Sequence, residues 1–170
     1  YGGINVQLFH GSLSPVVVPD FELLNNKTDF GKGFYTTTDY DQAVKWTFVK
    51  KSRINSDKLI FRYVNEFEYN EDNDLNVLNF LTASEKWLDF VYANRKDDNF
   101  THDYDVVMGP VADDTLYKVL DLYDSGVLTY KETIERLKTY KLSNQISFHT
   151  EKSLKYLKYI CTYALEEDYE

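Results

Sequence analysis

Apolar and polar residues alternate over residues 4–9, with Ile4, Val6 and Leu8 set against Asn5 and Gln7. That period of two predicts a half-buried strand which delivers Phe9 and then His10-Gly11-Ser12 at its end. Ser14-Pro15 and Val18-Pro19-Asp20 force an extended loop that runs on through Asn25-Asn26-Lys27, because proline fixes φ and disfavours helix in the residue before it. After Thr38 the period lengthens. Asp39 can cap an amphipathic helix to about Arg53, with Tyr40, Ala43, Val44 and Phe48 on its apolar side and Trp46 projecting from its middle. Residues 58–69 predict the clearest strand and residues 75–80 a shorter one. Thr82-Ala83-Ser84-Glu85 has capping-box spacing and opens a helix to about Arg95. A buried strand over residues 105–110, a helix from Ala112 to Ser125 closed by Gly126, and a helix from the Thr129-Tyr130-Lys131-Glu132 box to about Tyr140 follow. Residues 144–150 alternate again, with Ile146 and Phe148 on one face and Gln145, Ser147 and His149 on the other. The tail over residues 154–165 suits helix by spacing and strand by its Tyr, Ile and Thr content.

Between the first strand and the first helix lies Asp29-Phe30-Gly31-Lys32-Gly33-Phe34-Tyr35-Thr36-Thr37-Thr38. Two glycines one residue apart free the backbone for positive φ or for close approach, and the aromatic, β-branched run after them has strand composition. Successive side chains then face opposite ways, so Phe34 anchors the strand while Tyr35 presents its ring to the other side.

Composition narrows the picture. A chain of 170 residues, 43% hydrophobic and without low-complexity tracts, fits one folded α+β domain spanning residues 1–170. With 15 Tyr and 11 Phe, most rings must belong to the core, so a single tyrosine acquires a functional role only through its neighbours. The formal charge of −9 opposes nonspecific binding to duplex nucleic acid, although Lys50-Lys51-Ser52-Arg53 forms a short basic run. One cysteine, Cys161, and three scattered histidines, His10, His102 and His149, supply neither a disulfide framework nor metal-ligand spacing. A cytoplasmic protein without a membrane span or a metal is expected. The chain opens Tyr1-Gly2-Gly3 without methionine, which leaves a trimmed start and a lost leader open, and the acidic residues 166–170 read as a frayed, solvated tail.

Three segments, in order, resemble the ADP-ribosyltransferase superfamily, in the branch whose members carry a His-Tyr-Glu triad. Phe9-His10-Gly11-Ser12 is similar to the His-Gly-Ser segment that ends that family's first catalytic strand. Gly31-Lys32-Gly33-Phe34-Tyr35 is similar to its Gly-Lys-Gly-Ile-Tyr segment, and the spacing from Tyr35 to Trp46 matches a second family tyrosine that closes over nicotinamide. Asn144-Gln145-Ile146-Ser147-Phe148 followed by Leu154-Lys155-Tyr156-Leu157 is similar to its Asn-Glu-Tyr-Ile-Val strand and the Leu-Lys-Tyr-Leu after it. Gln145 stands where the family has glutamate. Residues 59–142 carry no such anchors and are similar only to a bacterial subgroup suspected to act as toxins of toxin–antitoxin pairs.

The resemblance implies a split antiparallel sheet with flanking helices around an NAD cleft. It implies a mono-ADP-ribosyltransferase that passes ADP-ribose from NAD to a macromolecular acceptor and releases nicotinamide, with a small antitoxin protein as a further partner. It implies His10 and Ser12 at the adenosine-side ribose, Gly11 on the carboxamide, Gly33 in the cofactor-binding turn, Tyr35 stacked on the pyridine with Trp46 opposite, and Gln145 on the nicotinamide-side ribose. His10, Tyr35 and Gln145 are then the catalytic set, and their strands are expected to border one cleft. His149 and Glu151 are further candidates to act on the acceptor. Taken singly, each residue also has a plain packing role, as a capped His, a core Trp or an edge-strand Gln. The competing reading is a catalytically degenerate NAD-binding or protein-interaction module, since an amide at 145 keeps a ribose hydrogen bond but loses the carboxylate charge. Restoring that carboxylate by Gln145→Glu is expected to raise NAD hydrolysis.

Overall fold

In a computed structural model, residues 4–24 and 28–167 are described. The expectations for residues 1–3, for the loop at 25–27 and for the tail at 168–170 lie outside the described residues. The alternating segments build two sheets. Strands β1 (Asn5–Ser12) and β3 (Arg62–Asn70) pair antiparallel, and β7 (Leu157–Leu165) pairs antiparallel with the other edge of β3. The second sheet has the order β2 (Phe34–Thr36), β6 (Asn144–Phe148), β5 (Val106–Pro110) and β4 (Val77–Asn79), in which only the β4–β5 pair is parallel. Two backbone hydrogen bonds between Phe9 and Thr37, of 2.8 and 2.9 Å, join the sheets where β1 passes the end of β2. Five α-helices among the described residues complete an α+β fold: α1 (Tyr40–Ser52), α2 (Glu85–Lys96), α3 (Asp114–Asp124), α4 (Tyr130–Leu137) and α5 (Glu151–Leu154).

Alternation decides how the layers stack. Leu8, Phe67 and Tyr69 of the first sheet meet Phe34, Val106, Ile146 and Phe148 of the second in one cluster between the sheets. On the outer face of the second sheet, Val107 joins Trp87, Leu88 and Val91 of α2, Leu116 and Val119 of α3, and Ile134 and Leu137 of α4. On the outer face of the first, α1 covers Phe9 and Val64 with Ala43. Burying side chains of this size removes about 1.5–3 kcal/mol of unfavourable hydration each.

Several local expectations change. The buried side of α1 is Gln42, Ala43 and Thr47, while Phe48 is 45% exposed beneath the Arg62 guanidinium, 3.8 Å from its ring centroid. Helix and strand touch there: a Cβ on Gly11 would stand 2.1 Å from the Ala43 carbonyl oxygen and 3.0 Å from the Thr47 methyl group. Helix α2 is capped by Ser84, which accepts from Trp87 N–H, rather than by Thr82. The Thr129 capping box is present, but α4 ends at Leu137. The start of β3 moves from residue 58 to Arg62, and Leu59 and Phe61 are 63% and 52% exposed. The ambiguous tail divides into the single turn α5 and the nine-residue strand β7, which pairs with β3 along its length apart from a register shift that skips Ile160.

Candidate functional site

The first segment closes β1. His10 Nδ1 lies 2.6 Å from the Tyr35 carbonyl oxygen, and its ring packs 4.2 Å from that of Phe34. A carbonyl can only accept, so Nδ1 carries the proton and Nε2 keeps its lone pair. Burial, and after it the nearby Lys50 cation, hold the His10 pKa well below the usual imidazole value against the opposing bond to Tyr35, so the ring is neutral at pH 7. A neutral ring with its proton fixed on Nδ1 offers Nε2 as an acceptor for a hydroxyl. The Gly11 carbonyl oxygen accepts from Lys50 Nζ at 2.6 Å. Ser12 Oγ donates to the Ser14 carbonyl oxygen at 2.6 Å and accepts from Asn65 Nδ2 at 2.8 Å, which ties the strand end to β3.

The second segment is a turn wound around a tyrosine hydroxyl. Gly31 adopts φ +87°, a conformation that favours glycine. Tyr35 Oη donates to the Gly31 carbonyl oxygen at 2.6 Å, accepts from Phe30 N–H at 2.9 Å and lies 2.8 Å from Thr28 Oγ1. Burial raises its pKa, so the hydroxyl stays protonated and pins the turn. The half-buried ring is flanked by Phe30 in a stacked arrangement at 6.4 Å and by the edge of His149 at 6.2 Å. Gly33 has no room for a Cβ, which would stand 2.7 Å from the His149 ring. Trp46 is half-buried on α1, against the first sheet, and makes no ring contact with Tyr35 among the described residues.

The third segment pairs with the second. Tyr35 opposes Ser147 across the β2–β6 ladder, so Tyr35, Ser147 and Gln145 share one face of that sheet. Phe34 turns to the other face, from which His10 reaches the backbone of β2. The three segments adjoin at one junction, but His10 lies on the opposite face of the second sheet from Tyr35 and Gln145, so the three side chains do not line one wall as expected. Gln145 is 3% exposed, and its Nε2 donates to Asp29 Oδ2 at 2.7 Å and to the Pro110 carbonyl oxygen at 3.2 Å. Two acceptors fix the nitrogen, so Oε1 is the atom left to face a ligand.

Asp29 is the residue that sequence reasoning missed. Its carboxylate, on a side chain 6% exposed, pairs with Arg95 through both Nε and Nη2. It also accepts from Ala112 N–H at 3.0 Å, from Gln145 and, at 3.4 Å, from Tyr117 Oη. The Arg95 guanidinium in turn sits 4.1 Å over the Tyr117 ring, and a pocket of about 280 Å³ opens on the outer side of this pair. Nothing local signals the role of Asp29, because its partners lie 66 and 116 positions away. A second groove of about 560 Å³, lined by Leu81, Pro110, Ile134, Leu137 and Tyr140 among others, reaches the Gln145 side of the junction through Pro110, whose carbonyl Gln145 bonds.

His149 and His102 form a third group beside the turn. His149 Nδ1 donates to the Lys32 carbonyl oxygen and Nε2 accepts from Ser147 Oγ, each at 2.7 Å, and the His102 ring stands edge-on at 4.6 Å. Ser147 is fully buried, so this pair is a clamp on the turn and not an open nucleophile. Burial lowers the His149 pKa to about 4 despite the bond to Lys32. An unfolded histidine takes up its proton near pH 6.5, so the folded state is penalised progressively as pH falls from about 6.5 to 4. Proton NMR should find the His149 ring titrating near pH 4, with urea stability falling across the same window. A midpoint near 6.5 would contradict the clamp. Among the described residues no group of three His, Cys, Asp or Glu side chains is placed to hold a metal ion, and no helix is long and apolar enough to cross a membrane.

The fold and the junction define an α+β protein of two mostly antiparallel sheets whose candidate site lies where they meet. The chain belongs to the family described as protein of unknown function (DUF3990), which it matches over residues 6–159. No curated protein and no solved structure gives a significant match.

Proposed function

We propose that the protein is an NAD-dependent mono-ADP-ribosyltransferase of ADP-ribosyltransferase-like fold, with a cleft at the junction of its two sheets. The observation that carries this reading is the bond from His10 Nδ1 to the Tyr35 carbonyl, which links the first two motif segments and prepares Nε2 to accept from a ribose hydroxyl. Tyr35 offers its ring to the pyridine, with the turn around it held by its own hydroxyl. Gln145 Oε1 accepts from the nicotinamide-side ribose. In the reaction the bond from ribose C1′ to the nicotinamide nitrogen breaks, nicotinamide leaves with the electron pair, and an acceptor atom bonds to C1′ as it gives up a proton. The developing positive charge on ribose is met by oriented dipoles, since Gln145 carries no charge of its own. In this reading NAD is the sugar donor, no metal takes part, and the protein works in the cytoplasm as the toxin of a toxin–antitoxin pair.

One observation favours a second reading. Gln145 is 3% exposed and held by Asp29, so a ribose reaches it only when the packing around it opens. A site that stays closed binds NAD, or a protein, without cleaving it. The test is incubation with NAD and fractionated bacterial extract, followed by chromatography for nicotinamide and mass spectrometry of protein and RNA. The transferase reading expects free nicotinamide and an acceptor heavier by one ADP-ribose. NAD binding with no nicotinamide in any fraction would replace it with the binding-module reading.

A further inference from the structure

The first sheet ends on an open edge. In the order β1, β3, β7 the outer side of β7 has no neighbouring strand, and among the described residues the backbone of Leu157–Leu165 makes no hydrogen bond beyond its ladder with β3. Long sheet edges are ordinarily guarded by charges or proline, because their unpaired N–H and C=O groups template another strand. These nine residues carry one charge, Lys158, and no proline, and Ile160 and Tyr163 are each 41% exposed.

The ladder fixes which backbone groups face out. The Tyr156 carbonyl oxygen accepts from Asn70 N–H at 3.1 Å, so by antiparallel alternation the groups of Leu157 and Tyr159 point away from β3. The register shift that skips Ile160 reverses the parity, and beyond it Thr162 and Ala164 point out. A two-fold axis between Ile160 and Cys161 matches all four with an antiparallel second copy of the same strand: Leu157 opposes Ala164, and Tyr159 opposes Thr162. The same register sets Lys155 opposite Glu166 of the second copy, once at each end of the ribbon. Both side chains are exposed, and neither forms an ion pair among the described residues. A strand with a lysine just before it and a glutamate just after it attracts its own copy only when the two run antiparallel.

We propose that β7 is the interface of a homodimer in which two copies pair antiparallel along this edge, joining two three-stranded sheets into one of six. The candidate junction lies at the other edge, where Phe9 of β1 bonds Thr37, so the dimer leaves it open and does not depend on the NAD reading.

Sedimentation equilibrium over a concentration series, on the parent, Lys155→Glu, Glu166→Lys and the variant carrying both, tests the proposal. The parent should dimerise, each reversal should weaken the dimer by about tenfold because it turns two symmetric attractions into repulsions, and the double variant should recover most of the affinity. Far-UV circular dichroism checks that the variants are folded. Cys161, the only cysteine in the chain, lies beside the proposed axis, so a short bismaleimide should link parent chains in pairs at dilutions where Lys155→Glu chains stay single. Should a variant unfold, linking of the parent through Cys161 decides: covalent pairs support the interface and their absence overturns it. A parent that stays monomeric up to millimolar concentration, an assembly larger than two, or a dimer indifferent to both reversals also overturns it, as does a monomer that captures an extended segment of another protein at this edge.

Discussion

Replacing Asp29 by alanine should lower the unfolding free energy by about 3–5 kcal/mol, the range for breaking one side of a buried ion pair. The size follows from what is left behind. Arg95, with a side chain 22% exposed, loses its counter-ion, and the Gln145 amide and the Ala112 N–H lose an acceptor in a place water does not readily fill. Each buried donor left without a partner costs about 1–3 kcal/mol in its own right. Against a whole stability of about 5–15 kcal/mol, such a change is large. Asp29→Asn, which keeps an acceptor but loses the charge, should fall between the parent and Asp29→Ala. Urea unfolding would give these differences directly, and a loss under about 1 kcal/mol for Asp29→Ala would mean that the hub is solvated or dispensable.

Gln145 is the second position where a large effect is expected, and there the structure changes the sign of one expectation. A glutamate at 145 was expected to restore the family's carboxylate and to raise NAD hydrolysis. With Nε2 of Gln145 only 2.7 Å from Asp29 Oδ2, a second carboxylate would instead meet the first. Two carboxyl groups at that separation share a proton, so Gln145→Glu gains no full charge at neutral pH, and the amide's donation to Asp29 is replaced by a proton that must be held between two acids. The variant should be less stable and no faster than the parent. Exchanging the pair, Asp29→Asn with Gln145→Glu, restores one carboxylate and one amide and should recover stability relative to Gln145→Glu. Gln145→Ala should cut nicotinamide release by about a hundredfold while NAD affinity changes by less than about threefold, because an oriented acceptor contributes most when charge develops on ribose.

The sequence displayed those features that depend on local pattern. Alternation located β1 and β6, a short apolar run located β5, and Asp39 and Thr129 announced their helices, because strand period and helix caps are set by residues a few positions apart. The pattern failed where distant packing decided the outcome. The inner side of α1 is Gln42, Ala43 and Thr47, where Gly11 of another element touches it, which no helical period encodes. Leu59 and Phe61 continue an apolar alternation, but β7 ends at Leu165 opposite Arg62, so the strand has no partner there and starts later. The tail resolved as strand because an open edge of β3 was waiting for it. The candidate site divides in the same way: His10, Tyr35 and Gln145 stood out by motif, whereas Asp29, Arg95 and Lys50 acquire their roles only across long separations.

The central claim is that the junction of the two sheets binds NAD and cleaves it at the nicotinamide bond with Gln145 as the ribose contact. The most direct test is the rate of nicotinamide release from NAD, measured with an active extract fraction for the parent and for a folded Gln145→Ala variant, with NAD affinity determined on both. The account predicts release by the parent, a fall of about a hundredfold in the variant and nearly equal affinities. Equal rates in the two proteins, or no release by the parent with any fraction, would contradict it.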